Sequence, residues 1–133
     1  MFGTYQSSHL RIELAASADE IKASLMQPKQ LERWLWPQKI DLGETSGFQL
    51  GTQFIVGQVF ESRLGIIEID HKVEVVTAQG IRFLLSKSID GFHEWQWGDG
   101  WVQSRLEGVS LLPLNLGQTL SLNRLKQHLK QDS

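Results

Sequence analysis

The chain has 133 residues, 41% of them hydrophobic, a net charge of −2 and no cysteine. That length suits a single domain over 1–133 whose core holds without staples, and the missing cysteines exclude disulfides, thiol catalysis and thiolate metal sites. Lysine and arginine are scattered, so no basic face awaits nucleic acid or an acidic membrane, and no apolar run reaches the roughly 18 residues of a membrane span.

Met1 to Leu10 has no charged-then-apolar signal pattern, which leads us to expect a cytoplasmic location. From His9 to Ala15, Leu10, Ile12 and Leu14 alternate with Arg11 and Glu13, the pattern of a half-buried strand. Ser17-Ala-Asp-Glu20 reads as a capping box that opens a short helix, with Ile21 and Leu25 on one face and Pro28 as its stop. Pro28 also suits the first turn of a second helix carrying Leu31, Trp34 and Leu35, which Pro37 ends. The pair has the shape of a helix–turn–helix, but Glu32 and Arg33 make no base-reading face.

Ile40 to Leu112 reads as strands separated by glycine turns. Ile67, Ile69, His71, Val73 and Val75 point one way there, and Glu68, Asp70, Lys72 and Glu74 the other. Treating Gln79-Gly80, Asp90-Gly91 and Asp99-Gly100 as two-residue hairpin turns sets a register by counting outward. One face then carries the rows Val75–Leu84–Trp97–Val102, Val73–Ser86–Trp95–Ser104 and His71–Ser88–His93–Leu106. The other carries a charge-mixed row, Lys72–Lys87–Glu94–Arg105, together with Phe83 and Leu85. After Pro113 a C-terminal helix of about 15 residues is expected, with Leu114, Leu122, Leu125 and Leu129 as its stripe. Leu116 and Leu120 fall off that stripe, in an opening turn or a second contact.

The five tryptophans, Trp34, Trp36, Trp95, Trp97 and Trp101, form two clusters; such rings fill a core or wall a pocket. The inner face of the counted sheet is apolar with a polar end, His71, Ser88 and His93. Its groups satisfy each other, water or a ligand. The candidate ligand pocket therefore comprises His71, Val73, Leu84, Ser86, Ser88, His93, Trp95, Trp97 and Ser104 from the sheet, and Leu122 and Leu125 from the helix. Two histidines without an inward carboxylate are too few ligands for a metal, and no cofactor is expected.

Several stretches resemble the START-like, or SRPBCC, superfamily with its helix-grip fold. Leu10-Arg-Ile-Glu-Leu-Ala-Ala16 followed by Asp19-Glu20-Ile21 is similar to that family's opening strand and first helix, and Leu31-Glu-Arg-Trp34-Leu-Trp36-Pro37 to its second. Gly51-Thr-Gln-Phe54 and His71-Lys-Val73-Glu-Val75-Val76 resemble two of its strands. The resemblance implies an α+β fold: a curved antiparallel sheet wrapped around a C-terminal helix, with two short helices after the first strand. Members use the space between sheet and helix for lipids, hormones, polyketides and other apolar molecules. Some catalyse cyclisation, dehydration or hydrolysis, and one branch regulates a heat-shock chaperone ATPase. The final helix here is shorter than usual for them, and Gly91-Phe-His-Glu-Trp-Gln-Trp-Gly-Asp-Gly-Trp101 matches no catalytic signature.

Three functions follow. The first is a module that binds a small apolar molecule. The second is an enzyme of the cyclase or dehydratase kind, with His71 or His93 as general acid–base. The third is an interaction module, a homo-oligomer or protein partner meeting the chain at Trp101 and Phe83.

Overall fold

A computed structural model of the protein describes residues 3–35, 39–42 and 53–131. Its elements, in order, are β1 (Thr4–Glu13), α1 (Ala18–Met26), α2 (Pro28–Trp34), β2 (Lys39–Asp41), β3 (Val59–Leu64), β4 (Ile67–Thr77), β5 (Gly80–Lys87), β6 (Ile89–Gly98), β7 (Trp101–Ser110) and α3 (Leu114–Gln131). The strands make one antiparallel sheet in the order β1-β7-β6-β5-β4-β3-β2. α3 packs against β1 and β7, and the two short helices follow the first strand, as expected.

The local signals act as their chemistry demands. Ser17 Oγ accepts the Glu20 amide while the Glu20 carboxylate accepts the Ser17 amide, so the capping box is closed in both directions. Asp99 in the last hairpin turn also accepts the Ala18 amide, tying the start of α1 to the sheet. Ile21 and Leu25 are buried, Pro28 opens α2, and Trp34 donates its indole N–H to the Ser24 carbonyl while meeting Trp95 edge-on at 6.2 Å. Trp36, Pro37, Gly51 and Thr52 lie outside the described residues, whereas Phe54 is buried and hydrogen-bonded to Met26.

β1 begins five residues earlier than its apolar alternation suggests. Its inward positions there are Gln6 and Ser8, which look like surface residues in a list of letters. The fold gives them partners on α3 and the segment leading into it: Gln6 accepts the Leu114 amide and donates to the Leu112 carbonyl, and Ser8 donates to Gln118. α3 itself runs 18 residues, longer than expected, with Leu114, Leu122, Leu125 and Leu129 buried and Leu116 and Leu120 exposed.

The turn-counted register is corrected at two hairpins. Between β4 and β5 the turn is Ala78-Gln79, since Thr77 pairs Gly80, and a bulge between Val73 and Val75 shifts the register again. Between β5 and β6 the chain turns at Lys87-Ser88, where Lys87 has φ 75°, and Leu85 pairs Gly91. Both displacements are odd, so their effects on parity cancel and only β5 is inverted. Phe83 and Leu85 therefore point inward with Ile81, whereas Leu84 and Ser86 are exposed on the outer face. The bulge also sends Val75 outward and Val76 inward. Asp90-Gly91 is not a turn. Gly91 lies inside β6 opposite Gly108, where a Cβ would collide with the Glu107 carbonyl. The last hairpin follows the count: Gly98 pairs Trp101, Trp97 pairs Val102, Trp95 pairs Ser104 and His93 pairs Leu106.

Candidate functional site

A cavity of about 300 Å³ lies between the concave face of β3–β7 and the N-terminal half of α3. Phe60, Ile69, Phe83, Leu85, Ile89, Trp95 and Leu106 form its sheet side, Leu31 and Leu35 extend it from α2, and Leu116, Gly117, Leu120 and Ser121 edge it from α3. The inverted β5 makes this wall apolar, because it turns Phe83 and Leu85 inward. The off-stripe leucines, Leu116 and Leu120, are exposed and edge the cavity rather than making a second packed contact.

Of the residues expected at a pocket, His71, His93 and Trp95 line this cavity. Val73, Trp97, Ser104, Leu122 and Leu125 are buried in the packed core and do not form its wall. Leu84 and Ser86 face outward, and Ser88 lies at the β5–β6 turn, where its hydroxyl accepts the Glu68 amide. His71 and Leu106, expected in the same row, are separated: His71 pairs Leu85, and His93 sits opposite Phe83. The apolar patch expected around Trp101 and Phe83 does not exist, since Phe83 is in the core and the Arg11 guanidinium covers Trp101 at 4.5 Å.

Each histidine is held from behind by a buried serine. His71 Nε2 meets Ser62 Oγ at 2.9 Å, and its ring stacks on Phe60 at 4.4 Å and meets Phe83 edge-on at 6.0 Å. His93 Nε2 meets Ser104 Oγ at 2.7 Å, and its ring leans on Trp95 at 4.5 Å. Both rings are half-buried and line the cavity. Burial pushes both imidazoles down to about 3, and the neighbouring His93 lowers His71 further. Both rings are neutral at pH 7.

Gln118, which nothing in its sequence neighbourhood singles out, completes the support. It projects from α3 through the core, donating to the carbonyls of Ser8 and Ser104 and contacting Ser104 Oγ at 3.0 Å, while its own carbonyl accepts the Ser8 hydroxyl at 2.6 Å. Among the described residues no group of three or more acidic, cysteine or histidine side chains could hold a metal, and no helix is long and apolar enough to cross a membrane.

Comparison with known proteins finds no matching family model and no curated sequence relative. Solved structures, however, superpose over nearly the whole chain. Mll3558 from Rhizobium loti aligns with a TM-score of 0.74 at 12% identity, covering 98% of this chain and 99% of that one. The fold is the Bet v1/SRPBCC-like helix grip. Norcoclaurine synthase from Thalictrum flavum, in complex with dopamine and hydroxybenzaldehyde, shares this helix-grip fold with a TM-score of 0.67 at 15% identity over 98% of this chain and 90% of its own. DynU16, from the dynemicin biosynthetic locus, aligns with a TM-score of 0.65 at 14% identity over 96% of this chain. This chain spans about half of DynU16, 48% of its length. At such identities the likeness is one of helix-grip fold.

Proposed function

We propose that this helix-grip protein binds a small, mainly apolar molecule in the cavity between the sheet and α3. The observation that carries the reading is the cavity itself: about 300 Å³ of space walled by aliphatic and aromatic side chains, with two neutral histidines at its back. A volume of this size suits a ligand of one or two fused rings, at the lower end of small-molecule sites. Norcoclaurine synthase, of the same fold, holds two single-ring aromatic compounds, which supports a ligand of this scale.

Binding is favoured over catalysis by the chemistry of the histidines. A general base working near neutrality needs a pKa close to the ambient pH, whereas these rings titrate near 3. Each is oriented by a serine hydroxyl rather than by a carboxylate, so nothing stabilises an imidazolium.

Gly117 supplies the test. It edges the cavity from α3, and a Cβ added there meets nothing within 4 Å. Gly117→Leu fills the mouth without straining the helix, because leucine is a better helix former than glycine by about 0.8–1 kcal/mol. Titration of wild-type protein with one- and two-ring apolar compounds, followed by tryptophan fluorescence, should give saturable changes through Trp95. The variant should be folded, at least as stable and blind to the same compounds. Absence of any response in the wild type, or an undiminished one in the variant, removes the reading.

A further inference from the structure

The two histidines present a fixed hydrogen-bonding character to the cavity, which follows from counting donors and acceptors behind them. Ser104 is fully buried, and its hydroxyl oxygen has two side-chain neighbours, Gln118 Nε2 and His93 Nε2. The Gln118 amide orientation is set independently: its nitrogen faces two backbone carbonyls, and its oxygen accepts from Ser8. An amide nitrogen accepts no hydrogen bond, so the Ser104 proton has one acceptor, His93 Nε2. That nitrogen is therefore the unprotonated one, and the ring proton sits on Nδ1.

The same count applies to His71. Ser62 is buried, and the side-chain acceptor beside its hydroxyl is His71 Nε2. The reverse polarity, with His71 donating, would leave a buried hydroxyl proton unpaired at a cost of about 1–3 kcal/mol. Both rings are thus Nδ1–H tautomers. Neither Nδ1 has a hydrogen-bond partner among the described residues, although each ring lines the cavity. Of the other polar side chains on the wall, Gln118 is engaged as above and Ser121 gives its hydroxyl proton to the Gly117 carbonyl.

We infer that the cavity is a site for apolar molecules carrying an oxygen acceptor, such as a ketone, aldehyde or ester, which takes the Nδ1–H donors of His93 and His71. This deepens the binding reading and rests on it. Gln118 and Ser104 are positioning residues: they act on the ligand only by fixing the tautomer of His93. An ammonium group, which has donors only, meets the Nδ1–H donors head-on and is disfavoured, because an unmatched buried polar group costs more than a matched one returns.

Two measurements test this. Ring 15N spectra of the unliganded protein at neutral pH should show a protonated, pyrrole-type Nδ1 and a pyridine-type Nε2 for both histidines. Ser104→Ala should shift the His93 pattern toward the other tautomer and leave that of His71 in place. The opposite pattern in the wild type, or an unmoved His93 in the variant, overturns the assignment whatever binds. The second measurement is calorimetric titration with 1-tetralone, tetralin and 1-aminotetralin. The ratio of tetralone to tetralin affinity should fall about tenfold in the His71→Phe/His93→Phe double variant, the worth of one hydrogen bond. The amine should bind more weakly than the ketone. If ketone and hydrocarbon keep the same ratio in both proteins, or the amine binds best, the inference fails while the cavity remains a binding site. If none of the three binds, both readings fall.

Discussion

Acid should weaken this protein well above the range in which carboxylates titrate. His71 and His93 are held near pKa 3 in the folded state, against an ordinary value of 6.5 in the unfolded chain. Below 6.5 the unfolded chain takes up protons that the native state refuses, so stability falls as pH falls. The stabilisation is whole above the unfolded value and is lost progressively as pH falls from 6.5 toward the folded value near 3. At about pH 5 each ring has cost about 2 kcal/mol, close to 4 for the pair, a large share of the 5–15 kcal/mol typical of a domain. This figure at pH 5 depends on the unfolded value and needs only that the folded pKa lie well below 5.

Urea unfolding at intervals from about pH 7.5 to pH 5 measures the loss directly. His71→Phe leaves the Ser62 hydroxyl without its acceptor, a penalty of about 1–3 kcal/mol that does not vary across this window. What should change is the slope: each histidine removed takes away up to about 1.4 kcal/mol per pH unit. The paired carboxylate Glu61, lowered to about 2 by its hydrogen bonds to Lys87 and Arg63, gives stability that is whole above its ordinary 4.5 and is lost only in the more acid range below it. A stability that stays flat between pH 7 and pH 5, or a slope that His71→Phe and His93→Phe leave unaltered, would refute the burial argument.

Three further outcomes are expected. Gln118→Leu strips the Ser8 hydroxyl and the Ser104 carbonyl of their partner in the core and should cost about 2–4 kcal/mol in chemical unfolding. Gly91→Ala forces β6 away from β7 at the Glu107 carbonyl, and thermal melting should show a loss of several kcal/mol or no folded protein. Ser17→Ala opens the capping box of α1 and should cost about 1 kcal/mol, with the fold and any ligand response retained.

The two ends of the chain show how differently residues declare themselves in sequence. The capping box at Ser17, Pro28 at the head of α2 and the leucine stripe of α3 are local signals, and local chemistry fulfils them. The Asp99-Gly100 turn is local too, because Gly100 takes the positive φ of 81° that a tight hairpin needs. Asp90-Gly91 has the same letters and a different cause, the close approach of a neighbouring strand, which no short window reveals. At β5 the sequence reading failed. Counting from presumed turns puts Phe83 and Leu85 outside, whereas the structure buries both with Ile81, because burial of two large side chains outweighs the presumed turns.

The candidate site divides along the same line. Its histidines and Trp95 could be nominated from sequence because strand periodicity places them on the concave face. Gln6, Ser8 and Gln118 could not, since a polar residue in a strand or helix reads as solvated until a partner about a hundred residues away is brought beside it. The sequence by itself determined most of the elements, through caps and periods that act locally, and the order of its family-like motifs implied the helix grip. Only the tertiary structure decided what the grip encloses. A cavity is a difference between the volume the backbone spans and the volume the side chains fill, and that difference exists only once the sheet, its bulge and α3 are in place.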